Sequence, residues 1–311
     1  MPETVGVILL AFGGADSPEA VEPFMTNLMG GRKPPPPLVT KIKERYALIG
    51  GRSPLPAITG RQAEALESAL NSSAGDNGTT RYKVVVGMRY WHPFINEALA
   101  QLARAGIKQI VAVSLAPFYS RVSTGAYEAE VKRVLAEANY GMEVVFAGGW
   151  HNHPRFISAT AGRVKEALQK FPADRREQVQ VIFSAHSLPV DHIEAGDPYV
   201  EQFTATVTGV ARELGLVEWH TGYQSKGGGQ GEWLGPSVED VMDKLAAAGH
   251  KEVLVAPVGF VSDHIETLYD IDIAQKGHAG SRGLVFQRTE ALNTSPEFIA
   301  ALTEVVLGNL K

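Results

Sequence analysis

Three segments of this 311-residue chain carry side chains that could do chemistry, and each follows an apolar run. The first is Phe183-Ser184-Ala185-His186-Ser187-Leu188-Pro189. A strand there delivers one imidazole at its carboxyl end, and Pro189 stops the strand from continuing. Such an imidazole is either a satisfied structural group or a base and metal ligand. The second segment, Val255 to Asp272, contains Ser262-Asp263-His264-Ile265-Glu266-Thr267-Leu268-Tyr269-Asp270. Here a strand ends and a helix begins, with Ser262 or Asp263 as the expected cap, and Glu266 and Asp270, four apart, share a face. The carboxylates either complement the helix N-terminus or, with a histidine at another strand end, form a hard-metal or proton-transfer pair. The third, Ser114 to Tyr127, is rich in aromatic and hydroxyl groups, which suits a flat apolar ligand with a polar edge or a well-packed loop.

These segments need a frame that brings strand ends together. Short β-branched runs at Val5–Ala11, Lys83–Gly87, Gln109–Leu115, Glu143–Ala147, Gln180–Ser184, Glu218–Tyr223, Glu252–Val255 and Leu284–Phe286 alternate with amphipathic stretches. That is the rhythm of parallel strands joined by crossover helices. Helical patterns cover Glu19–Met29, Leu38–Leu48, Gly60–Leu70, Pro93–Arg104, Val122–Ala138, Pro154–Lys170, Pro198–Leu214, Ser237–Ala248 and Pro296–Leu310, several with Pro in the first turn. The prolines Pro34–Pro37 read as a rigid turn between the first two helices. Eight strands point to an α/β protein with two four-stranded parallel sheets. The expected division is 1–152, 153–295 and a C-terminal helix, 296–311, returning to the first half. No internal repeat is visible in the sequence.

Composition removes several classes of function. Lys and Arg total 29 against 34 Asp and Glu, a net charge of −5, so there is no overall field for a nucleic-acid backbone. The absence of cysteine excludes disulfides, thiolate zinc sites, a cysteine nucleophile and a cysteine-held iron–sulfur cluster. No stretch approaches the ~20 apolar residues of a spanning helix. Without a signal-peptide pattern, the expected location is the cytoplasm. Phe12-Gly13-Gly14-Ala15-Asp16 lacks the spacing of a dinucleotide-binding loop, and no phosphate-binding loop or zinc-protease motif occurs. His151 and His153, two apart in a Gly-rich turn, read as incidental.

Taken in order, the segments resemble ferrochelatase, the enzyme that inserts ferrous iron into a porphyrin in haem synthesis. The resemblance runs through Leu9-Leu10-Ala11-Phe12-Gly13-Gly14 with Ser17-Pro18-Glu19, Arg45-Tyr46 to Ser53-Pro54-Leu55, Met88-Arg89-Tyr90, Leu115–Tyr127 and Phe183–Pro189. It continues through Tyr223-Gln224-Ser225, Glu232-Trp233-Leu234, Pro257–Asp272 and Leu292-Asn293 with Ser295-Pro296. It implies two Rossmann-like halves of the class II chelatase type around a porphyrin cleft. With Leu-Ala-Pro before Tyr-Ser, the chain is most similar to the bacterial coproporphyrin III ferrochelatases, which favours coproporphyrin III over protoporphyrin IX.

The resemblance also implies roles. His186 matches the family's metal-site histidine and Glu266 its facing carboxylate; together they would take the two pyrrole protons and bind or guide Fe(II), with Asp270 as a delivery site. Phe12, Arg45, Tyr46, Ser53 and Tyr127 match positions that line the porphyrin or contact its carboxylates, and an Arg fork can clamp a propionate bidentately. Fe(II) is then a substrate and no cofactor is required. The implied partners are porphyrin, Fe(II) and, transiently, a haem-accepting protein, and the expected state is a monomer.

Two departures stand out. Some relatives place a Tyr in the first loop as an axial metal contact, where this chain has Phe12. In others a row of acids four apart continues from the metal-site Glu; here Ala274 interrupts it, so either Asp263 or Asp272 substitutes or the delivery route differs. Rival readings are a cobalt or nickel chelatase for another tetrapyrrole, and a non-catalytic tetrapyrrole carrier, which would not need His186 facing Glu266.

Overall fold

The computed structural model describes residues 3–73, 80–229 and 231–310. They fall into two units, one running to Trp150 and resuming at Asn293, the other spanning His151–Leu292.

The first unit holds β1 (Glu3–Ala11), β2 (Thr80–Met88), β3 (Gln109–Ser114) and β4 (Glu143–Ala147), all parallel in the order β2-β1-β3-β4. β1 is central, and Val7 to Leu10 are at most 1% exposed. A strand covered on both faces needs such a continuous apolar run, and each of these side chains contributes roughly 1.5–3 kcal/mol on burial. Its helices are α1 (Val21–Leu28), α2 (Pro36–Leu48), α3 (Leu55–Ser73), α4 (Ile95–Arg104) and α5 (Thr124–Ala138). In α4, Ile95, Ala98, Leu99 and Leu102 recur at three- and four-residue spacing and form the buried stripe.

The second unit holds α6 (Pro154–Leu168), β5 (Gln180–His186), α7 (Val190–Glu194), α8 (Tyr199–Leu214), β6 (His220–Gln224), α9 (Val238–Ala247), β7 (Glu252–Ala256), α10 (Ile265–Leu268), α11 (Lys276–Ser281) and β8 (Val285–Arg288). Its parallel order, β6-β5-β7-β8, repeats that of the first unit. Last comes α12 (Pro296–Gly308), which belongs to the first unit and packs on α3. Phe298 is fully buried, with its ring 6.1 Å from that of Trp150, and the Gln62 amide donates to the Asn293 carbonyl at 2.7 Å.

All eight expected strands form, in two sheets. The single helix expected over Glu266 and Asp270 does not. His264 is the cap, its N–H donating to Thr267 Oγ1 at 3.0 Å, so α10 starts later than Ser262 or Asp263 would place it. After one turn the chain widens into a π-helix over Asp270–Gln275, in which Ala274 N–H reaches five residues back to the Tyr269 carbonyl at 3.0 Å. Wide turns of this kind are frequent at functional sites.

Candidate functional site

In both sheets the first and third strands are neighbours whose onward connections run in opposite directions, and ligands bind at the carboxyl ends of strands around such a point. In the second unit those ends are β5, which closes on His186, and β7, whose following loop leads to Glu266.

His186 Nε2 lies 3.6 Å from Glu266 Oε1, and both side chains keep 31% of their surface exposed. The other ring nitrogen, Nδ1, hydrogen-bonds the Ser187 carbonyl. A carbonyl can only accept, so Nδ1 carries its proton and Nε2 faces the carboxylate. The second carboxylate oxygen of Glu266 is 3.4 Å from His264 Nε2. His264 is fixed in turn by its Nδ1 on the Ser262 carbonyl at 3.0 Å and by the Phe260 ring at 4.8 Å between centroids. Glu266 thus takes one imidazole on each oxygen.

Burial, the strongest single influence on His186, opposes its charge. The Glu266 carboxylate, the Ser187 carbonyl and the charge of Asp270 outweigh it, and the net shift raises the imidazole pKa. Burial likewise opposes ionisation of Glu266, but His186 and then His264 hold the carboxyl well below the usual carboxylate range.

Surrounding groups lock this geometry. Tyr199 donates its hydroxyl to the His186 carbonyl at 3.0 Å, and Ser187 N–H donates to the Gln224 carbonyl at 2.7 Å. The Gln224 side chain accepts from Ser184 Oγ at 2.8 Å and donates to the Glu266 carbonyl at 3.1 Å, joining the ends of β5 and β6 to α10. Ser225, at φ +58°, turns its hydroxyl onto Asp270 Oδ2 at 2.6 Å. Asp263 and Asp272, the expected substitutes for the missing acid, are both bound by Arg288. One guanidinium is shared by the two carboxylates, which ties both into a single ion-paired cluster. Among the described residues, no group of three or more His, Asp or Glu side chains is arranged to hold a metal ion.

The first-unit residues separate by burial. Phe12, just past β1, is 41% exposed, with its ring 4.8 Å from Tyr90 and 6.3 Å from Phe24. Arg45 is half-buried in the last turn of α2. Tyr46 is only 2% exposed, and its hydroxyl accepts from Ala15 N–H at 3.3 Å. Ser53, 3% exposed, donates its N–H to the Ala15 carbonyl at 2.7 Å and accepts from Leu55 N–H at 3.3 Å. Tyr127 packs in the apolar layer of α4, α5 and the sheet. All three are largely covered in this structure: Tyr46 and Ser53 hydrogen-bond the loop after β1, and Tyr127 lies within the apolar layer. Gly13 in that loop, at φ +103°, leaves room for Trp91 N, which a Cβ would meet at 2.9 Å.

Sequence reading passed over His264, Tyr199 and Arg288. Only His264 left a signal, the His-x-Glu spacing across the helix start, which puts both side chains beside one another when the first residue is the cap.

A ferrochelatase family model matches residues 4–310. The chain is 40% identical over 308 residues to ferrochelatase from Herpetosiphon aurantiacus, with 99% of this chain and 100% of that one covered. It is 37% identical over 307 residues to coproporphyrin III ferrochelatase from Bacillus subtilis, covering 98% of each. Among solved structures, SirB from Bacillus subtilis with Fe3+ is similar at a TM-score of 0.60 and 11% identity, covering 98% of this chain and 95% of that one, a likeness of fold. With whole-length matches of this strength, the chain belongs to the ferrochelatase family, enzymes that insert iron into porphyrin in haem synthesis.

Proposed function

We propose that the enzyme's porphyrin is coproporphyrin III in preference to protoporphyrin IX, and that His186 and Glu266 carry the insertion. The observation behind the roles is the 3.6 Å His186–Glu266 pair at the meeting of two strand ends. The preference is supported by the whole-length similarity to the Bacillus subtilis coproporphyrin III enzyme.

Insertion exchanges one Fe(II) for two pyrrole N–H protons, so the site must receive protons and strip water from a cation. Glu266 stays ionised and offers a hard oxygen. His186 presents Nε2, a lone pair when neutral and an N–H when charged, so one nitrogen can serve as ligand or proton acceptor. Two side-chain donors leave the other coordination positions to water and the incoming pyrrole nitrogens, which favours release into the macrocycle. Asp270, held by Ser225, supplies a further carboxylate on the approach to Glu266. In this reading Fe(II) is substrate and no resident cofactor is needed.

In the first unit, Arg45 clamps a propionate and the exposed face of Phe12 packs on the macrocycle, while Tyr46 and Ser53 hold the loop that carries Phe12. A ring carbon cannot ligate iron, so Phe12 contributes packing alone.

The test is an anaerobic assay with Fe(II), offering coproporphyrin III and protoporphyrin IX side by side and following the porphyrin absorption bands as they merge. Faster turnover of coproporphyrin III is expected. The reverse preference would overturn the substrate assignment, and tight binding with no metallation of either would favour a carrier.

A further inference from the structure

Arg288 closes β8 and is largely buried, with 11% of its side chain exposed. Its Nε and Nη2 donate to the two oxygens of Asp272 at 2.7 and 2.9 Å, and Nη1 donates to Asp263 Oδ1 at 3.1 Å and to the Thr289 carbonyl at 3.1 Å. Asp263 lies before α10 and Asp272 within the π-helix, so one guanidinium grips the chain on both sides of Glu266 and Asp270. The backbone behind the grip is rigid: β8 pairs with β7, with Arg288 in register with Val255. A π-helix is rare and poorly self-supporting, so its shape depends on what holds it from outside.

We propose that Arg288 is a positioning residue for metal insertion, clamping the Asp263–Asp272 segment against the sheet so that Glu266 and Asp270 keep their register. This rests on the reading of Glu266 as part of the insertion pair. The clamp also sorts the acids of the segment. Asp263 and Asp272 share the Arg288 guanidinium, whereas Glu266 and Asp270 have imidazole and hydroxyl partners, which makes Glu266 and Asp270 the better placed carboxylates to receive a cation. The planar fork matters because an ammonium cannot make the two parallel bonds to Asp272.

A more exposed pair of the same geometry elsewhere in the unit serves as a comparison. Arg282 makes the same bidentate contact with Asp243, at 2.8 and 2.9 Å, and joins the end of α11 to α9 rather than bonding Asp263, Glu266, Asp270 or Asp272. The experiment compares Arg288→Met, Arg288→Lys and Arg282→Met in the full chain by hydrogen exchange over residues 265–275 and by Fe(II) insertion kinetics. In Arg288→Met, exchange over this segment is expected to speed up about tenfold or more. kcat should fall about tenfold to a hundredfold, as small misplacements do, with the porphyrin KM held within about twofold. Arg288→Lys should fall between parent and Arg288→Met, and Arg282→Met should behave as the parent.

Parental exchange in both Arg288 variants would overturn the clamp. Faster exchange with parental kcat and Fe(II) KM would overturn its role in insertion. A loss of activity that only tracks the unfolded fraction would do the same. If Arg288→Met does not fold, Arg288→Lys and Asp272→Asn decide by the same readouts. A parent chain that metallates no porphyrin would count against the functional reading, and the exchange comparison would still decide the clamp.

Discussion

Glu266 holds one imidazole on each oxygen, and this arrangement makes the protonation state of His186 depend on its neighbour's charge. The folded-state pKa of His186 is raised, so the pair contributes stability below that pKa and loses it as pH rises through it. Under the proposed roles the same titration gates insertion, because only neutral Nε2 can accept a proton or bind Fe(II). The acid limb of kcat/KM should therefore lie above the ordinary histidine value of ~6.5. In Glu266→Gln the opposing carboxylate is gone and burial dominates, so the limb should move to lower pH while kcat falls. A limb that stays in place would show that another group sets it. Asp270→Asn should raise the Fe(II) KM about tenfold or more while leaving the porphyrin KM unchanged, as read from metal titrations at saturating porphyrin. At this scale the sequence was informative about the placement of His186 and Glu266, which the structure brings to within 3.6 Å of one another at and beyond the ends of β5 and β7. The burial of Tyr46, Ser53 and Tyr127 was not legible there, since a polar side chain looks the same in sequence whether it is exposed or packed against a loop. Arg288 was equally hidden, since its partners lie 16 and 25 residues away.

Among the elements, strands and long helices follow from local pattern alone. β1 and β7 are buried on both faces and so read as unbroken apolar runs, and α4 shows its buried stripe at helical spacing. The π-helix could not be read this way: Asp270-Ile271-Asp272-Ile273-Ala274-Gln275 has an ordinary helical pattern, and its widening depends on the Tyr269 carbonyl taking the Ala274 N–H and on the contacts that hold the turn. α12 provides the test of packing. Phe298 is fully buried, and truncating such a ring removes its transfer free energy and leaves a cavity. Phe298→Ala should cost about 3–5 kcal/mol in urea unfolding with an unchanged slope. A loss under about 1 kcal/mol would mean that α12 is not part of the first unit's core.

The whole molecule repeats one topology. Both sheets run second, first, third, fourth strand, all parallel, yet no repeat is visible in the sequence. Topology is set by crossover handedness and by which edges are covered, and many apolar sequences satisfy both. The duplication gives each unit a switch point, and the two have been filled differently. The second carries the histidines and acids, and the first carries Phe12 with its braced loop. Under the proposed roles, second-unit substitutions should act on kcat and the metal, and first-unit substitutions on the porphyrin. Arg45→Ala should therefore weaken porphyrin binding about tenfold or more, measured by quenching of tryptophan fluorescence, with kcat largely kept. Unchanged affinity would refute the propionate clamp.

The most direct test of the account is single-turnover metallation by His186→Ala, with porphyrin affinity measured on the same preparation. Because the lost interaction belongs to the insertion step, affinity should stay within about tenfold of the parent while most metallation disappears. A variant that binds porphyrin and metallates it at the parental rate would contradict the assignment of His186 and Glu266 as the insertion pair.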